Sequence, residues 1–127
     1  MNKPVSIFVG AVAAMYAASY QPAAAQDAAP PSYKGDPEVY KVIFEDKNFR
    51  VIDALRKAGQ HDKLHSHPVP SVIYFLTDCK DKLYGPGGKT IISEHKAGTV
   101  LAAPIVKAHS TENIGTGDCH QIFVERK

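Results

Sequence analysis

The 127-residue chain lacks clustered charge. Its 15 Lys and Arg residues against 13 Asp and Glu give a formal net charge of +2. No basic run is dense enough to neutralise several phosphates, so there is no electrostatic case for nucleic acid. The acidic residues are equally scattered, which excludes an acidic tail and a calcium cage. Cysteine is scarce: Cys79 and Cys119 are the only two, and their separation is far from the C-x-x-C spacing of a metal or redox motif. Helical periodicity is missing too, because no window offers three capped turns of apolar residues at i, i+3, i+4 and i+7. What remains is a composition 44% hydrophobic, close to the globular average and too apolar for wholesale disorder. The length suits one domain.

A membrane-spanning apolar run is also absent. Residues 1–25 carry a single charge, Lys3, before the 14 apolar-rich residues 5–18, short of the roughly 20 needed to cross a bilayer. Pro22 and the small residues Ala23, Ala24 and Ala25 follow. A basic start, a short apolar centre and an A-x-A site form a secretory signal-peptide pattern. It predicts cleavage after Ala25, a periplasmic or secreted protein, and no membrane association once the segment is removed. Residues 26–36 contain Pro30, Pro31, Ser32 and Gly35 without periodicity and read as a linker. Residues 37–127 form the single domain. In an oxidising compartment a disulfide between Cys79 and Cys119 is the expected state, a reactive thiol or metal ligand being the alternative, and the Cα separation decides.

Strand signals recur from residue 40 onward. Residues 42–44, 49–55, 72–76, 82–84, 90–93, 99–103 and 121–125 are short β-branched or aromatic runs. Gly85, Pro86, Gly87 and Gly88 mark a hairpin, since glycine reaches positive φ freely. Gly115 and Gly117 mark a further turn. Short strands broken by frequent turns predict an all-β sandwich or barrel.

Among the six histidines, His65 and His67 are two apart, so in extended backbone both imidazoles point to one face. Neutral imidazole is a good ligand for Zn, Fe, Ni and Cu. Gly59 precedes the pair as Gly59-x5-His65-x-His67, and downstream stands Gly98-x5-Pro104-x4-His109-x3-Asn113. Together these resemble the two motifs of the cupin superfamily, G-x5-H-x-H-x3/4-E-x6-G and G-x5-P-x-G-x2-H-x3-N, over about residues 40–124. The resemblance implies a jelly-roll β-barrel, the double-stranded β-helix. It assigns His65, His67 and His109 to a divalent transition metal (Fe, Mn, Ni or Zn) and gives Gly98, Pro104 and Asn113 scaffold positions. Two departures stand out. The motif glutamate falls at Ser71 or Val72, and the second-motif glycine is Val106. The site is then three neutral histidines with open positions, as in three-histidine thiol dioxygenases of the same superfamily.

The resemblance further places the strand after the first motif antiparallel beside the last strand, which brings Cys79 to Cys119. Pocket candidates are Ser71 or Val72, Tyr74, Leu76, Leu101 and Phe123, their strand parity left open, with Asn113 beside the site and His61 either at the barrel mouth or, the more usual case, on an exposed loop. His95 reads as surface, and His120 faces either way. Glu112 and Asp53 are the only acid–base candidates, and Asp53 carries little weight because exposed aspartate is the usual case. Three functions follow. The first is an exported metalloenzyme, oxygenase-like, acting on a small molecule. The second is a non-catalytic small-molecule-binding module without metal. The third is a subunit whose barrel face makes a homodimer.

Overall fold

The computed structural model describes residues 29–127; the signal-peptide reading of residues 1–25 falls outside them. Nine strands are present among the described residues: β1 (Tyr40–Glu45), β2 (Phe49–Arg56), β3 (His65–His67), β4 (Ser71–Phe75), β5 (Cys79–Tyr84), β6 (Thr90–His95), β7 (Val100–Ala103), β8 (Val106–Asn113) and β9 (Cys119–Arg126). They form a five-stranded sheet, β1-β2-β9-β4-β7, and a four-stranded sheet, β3-β8-β5-β6. All pairs are antiparallel. The all-β jelly-roll expectation holds.

Period-two alternation decides what faces inward. On β2, Ile52, Ala54 and Arg56 are buried, and on β9 Cys119, Gln121, Phe123 and Glu125 are. On β4, Ser71 and Phe75 are buried while Val72 and Tyr74 stand outside, 45% and 41% exposed. Register locks these faces together: Ser71 pairs with Glu125, Ile73 with Phe123 and Phe75 with Gln121. The two glycines that open the motifs, Gly59 and Gly98, both take positive φ, 76° and 83°, a conformation that costs an ordinary side chain strain. Pro104 lies between β7 and β8, where the chain leaves one sheet for the other.

β8 is a strand that its sequence does not announce. VKAHSTEN has no apolar alternation because its buried positions are His109, Thr111 and Asn113. Residues 29–36, within the stretch read as a linker, are tied to the barrel. Ser66 donates its backbone N–H to the Pro30 carbonyl at 2.8 Å and its hydroxyl to the Ala29 carbonyl at 2.9 Å. A single helical turn, Ser32–Gly35, follows, and Asp36 is buried with its carboxylate accepting the Lys63 N–H at 2.9 Å. This segment is fixed to β3 and its approach.

The interior is unusually polar. Fourteen polar or charged residues are buried among the described residues, against eight apolar ones. The apolar core divides into Val39, Tyr40, Ile52, Ala54 and Phe123 at one place and Phe75, Cys79 and Cys119 at another. The second contains the Cys79–Cys119 disulfide, with a Cα separation of 4.8 Å, joining the first residues of β5 and β9. Closing a loop of that length removes roughly 3–4 kcal/mol of denatured-state entropy, a sizeable contribution for a small barrel whose apolar core is thin.

Candidate metal centre

β3 and β8 carry the histidines. His65 pairs with His109 across the sheet, His67 pairs with Val106, and a register shift separates the two. All three rings are buried. Ring centroids are 4.3 Å apart for His65 and His109, 5.1 Å for His65 and His67, and 5.2 Å for His67 and His109. One nitrogen of each lies within 4.8 Å of the others, a group able to converge on one ion once the rings draw slightly together.

Two tautomers follow from the hydrogen bonds. His65 Nδ1 is 2.7 Å from the Lys63 carbonyl and His109 Nδ1 is 2.9 Å from the Lys107 carbonyl. A carbonyl only accepts, so each Nδ1 carries the proton and each Nε2 keeps its lone pair. His65 Nε2 is buried and has no partner. An unpaired buried acceptor is costly, and a cation is the partner that suits it. Burial depresses the pKa of all three rings; for His67, flanked also by His65 and His109, it falls to about 3. The donor set is therefore neutral and unprotonated near pH 7, the form a metal needs. The residues present fit a divalent transition metal.

Behind the rings lies a buried polar network. The Tyr40 ring packs 4.7 Å from His65, donates its hydroxyl hydrogen to Asp62 Oδ2 at 2.7 Å and accepts from Arg56 Nη1 at 2.9 Å. Asp62 Oδ1 accepts the Thr111 backbone N–H at 2.6 Å and is 3.7 Å from His65 Nδ1. Burial first, then the Asp62 carboxylate, hold the Tyr40 phenol well above its ordinary range, partly offset by Arg56. The phenol stays protonated. Such groups behind a ligating imidazole fix its orientation. Phe123 stacks on His67 with centroids 5.1 Å apart and planes at 5°.

A cavity of about 200 Å³ opens beside the histidines, and it is largely apolar, with Ile73, Phe75, Leu101 and Phe123 in its wall. His67, His109, Ser71, Arg56, Asp81 and Gln121 supply its polar groups. Arg56 Nη2 donates to Asp81 Oδ2 at 3.0 Å and to Gln121 Oε1 at 3.3 Å.

Of the sequence-predicted residues, His65, His67 and His109 are brought together, and Ser71, Leu101 and Phe123 line the cavity. Val72, Tyr74 and Leu76 are exposed and do not. His61 is exposed, stacking on Tyr84 at 4.8 Å and hydrogen-bonding Ser110 at 2.9 Å outside the cavity. Asn113 is buried but spent on structure: its amide donates to the carbonyls of Arg56 and Gly117, and its Oδ1 accepts the Gly115 N–H. Glu112 is occupied by the Tyr84 hydroxyl, and Asp53 by His120. His95, read as surface, instead stacks on Phe75 and reaches the cavity. Arg56, Asp81, Gln121 and Glu125 escaped sequence reasoning. Strand parity was the available signal, since Arg56 continues the inward face of Ile52 and Ala54, and Gln121 and Glu125 flank Phe123.

Comparison with solved structures fits this architecture. A cupin domain from Bordetella pertussis matches with a TM-score of 0.64 at 18% identity, over 79% of this chain and 97% of its own. A double-stranded β-helix protein from Klebsiella pneumoniae matches with a TM-score of 0.54 at 21% identity, over 69% of this chain and 75% of its own. The fold is that of a cupin. A point-substituted oxalate decarboxylase of Bacillus subtilis also superposes, with a TM-score of 0.50 and 20% identity over 64% of this chain and 22% of that one. No family model matches the sequence, and no curated protein does. The shared feature is the cupin scaffold, and the chemistry has to be argued from this chain's own side chains.

Proposed function

We propose that this cupin is an exported protein that binds a divalent transition metal through His65, His67 and His109 and presents it to a small molecule in the adjoining cavity. The observation that carries the reading is the convergence of three buried, neutral imidazoles, two with their tautomer fixed by the carbonyls of Lys63 and Lys107. A metal held there would supply Lewis-acid chemistry or, if iron, oxygen activation of the oxygenase type. The chain's own part is to bind and exclude. The cavity wall is largely apolar, Tyr40 packs on His65 and Phe123 on His67, and Arg56 with Gln121 adds polar groups to the lining. Export rests on the residue 1–25 pattern, and the disulfide supports it, because such bridges persist in oxidising compartments. No helix among the described residues is long and apolar enough to cross a membrane.

The discriminating experiment is metal analysis of protein purified from the exported fraction, followed by oxygen uptake with small thiols and catechols. One equivalent of metal with oxygen consumption supports the enzyme. Metal without turnover supports a metal-dependent binder. Metal-free protein that still retains a small molecule supports the non-catalytic module and overturns the metal reading.

A further inference from the structure

Three neutral imidazoles leave the +2 charge of a bound ion uncompensated in a poorly solvated site, and an anion nearby lowers that cost. Asp36, buried on the approach to β1, is held by the Lys63 N–H. Three further buried carboxylates lie within the barrel. Asp62 has both oxygens engaged, by the Tyr40 hydroxyl and the Thr111 N–H. Asp81 keeps Oδ1 unpartnered, but it sits opposite Asn113 on β8. That is four residues from His109, on the order of 13 Å along the strand. Glu125 is different. It is 1% exposed, its Oε2 accepts from Arg50 Nη1 at 3.1 Å, and its Oε1 has no partner.

The register puts Glu125 on the wall that carries Ser71 and Phe123. It faces Ser71 across the β4–β9 pair, and Ser71 lines the same cavity as His67. It also follows Phe123 on the inward face of β9, and Phe123 is the ring stacked on His67. Three buried polar atoms on these residues lack partners, His67 Nδ1, Ser71 Oγ and Glu125 Oε1. Native interiors rarely leave such groups unsatisfied, and three on residues linked through the β4–β9 register and the Phe123 stack point to a shared occupant.

We propose that Glu125 is the charge-compensating carboxylate of the metal centre. It acts from the neighbouring strand across Ser71, accepting hydrogen bonds through the Ser71 hydroxyl or a bridging water from His67 or from a molecule bound at the ion. It is a positioning residue, and the inference rests on the metal reading above.

The test is a competitive zinc titration of the full chain and its variants against a chromophoric chelator, with circular dichroism checking the fold. Glu125→Gln is expected to weaken zinc binding about 10–100-fold, the range for a lost partner behind a ligand. Adding Ser71→Glu to Glu125→Gln is expected to recover most of that loss, since position 71 faces position 125. Arg50→Gln, which frees the second carboxylate oxygen, is expected to bind zinc at least as tightly as wild type. Unchanged zinc affinity in Glu125→Gln overturns the proposal. So does a loss that Ser71→Glu fails to reverse in a folded protein, or an equal loss in Arg50→Gln, either of which assigns Glu125 a merely structural ion pair. Should Glu125→Gln not fold, Glu125→Asp, which keeps the charge but withdraws it from Ser71, replaces it: weakened zinc binding supports the proposal and unchanged affinity overturns it. Wild type that binds no zinc fails at the earlier step and overturns the metal reading itself.

Discussion

His65 and His109 are direct cross-strand partners on β3 and β8, with ring centroids 4.3 Å apart. Sheet register therefore brings the two motifs to one point, and His67 joins them because it follows His65 by two residues on the same strand. Replacing His109 by Ala should remove one of three ligands and lower metal affinity by roughly 100-fold or more, beyond the range for a lost partner behind a ligand, while the surrounding strands keep their pairing. Equilibrium dialysis with zinc against wild type checks this.

The buried hydroxyl of Tyr40 bridges Arg56 and Asp62. Tyr40→Phe keeps the ring against His65 but leaves both charged partners short of a hydrogen bond. A loss of about 1–3 kcal/mol is expected, read as a lower urea midpoint with an unchanged slope.

Acid should destabilise the metal-free protein through the same histidines. Their folded pKa values lie below the unfolded value, so the unfolded chain binds more protons as pH falls. The stability they contribute is complete above pH about 6.5. It is lost as pH drops from there toward the folded values, which for His67 is about 3. Burial raises the Asp81 and Glu125 carboxyls, whose contribution runs the opposite way. Comparison with His67→Gln isolates the histidine part: urea melts between about pH 7 and 5, the upper part of that window, should show a shallower decline in the variant.

Much of the scaffold was readable because strands buried on one face announce themselves by alternation. The runs at 72–76 and 121–125 gave β4 and β9, and the glycines at 85, 87 and 88 gave the β5–β6 hairpin. β8 stayed hidden because a strand that builds a site puts His109, Thr111 and Asn113 where alternation looks for leucine and valine. The histidines could be found from their spacing. For Arg56 and Glu125 parity marks the inward face, but what they meet there, like the place of Asp81, depends on which strands become neighbours. Tyr74 was misplaced by one step of parity: Ile73 and Phe75 face inward, so Tyr74 faces out.

The disulfide should matter to stability more than to the site, since it joins β5 to β9 away from the imidazoles. Denatured, non-reduced protein should show no free thiol. Cys79→Ser with Cys119→Ser should cost roughly 3–4 kcal/mol in chemical denaturation.

The most direct measurement is a cobalt(II) titration of the metal-free protein followed by visible absorption. The account predicts ligand-field bands that saturate at one equivalent and vanish in the His65→Ala, His67→Ala and His109→Ala variants alike. Bands that survive any of these substitutions, or wild-type protein that develops none, would contradict it.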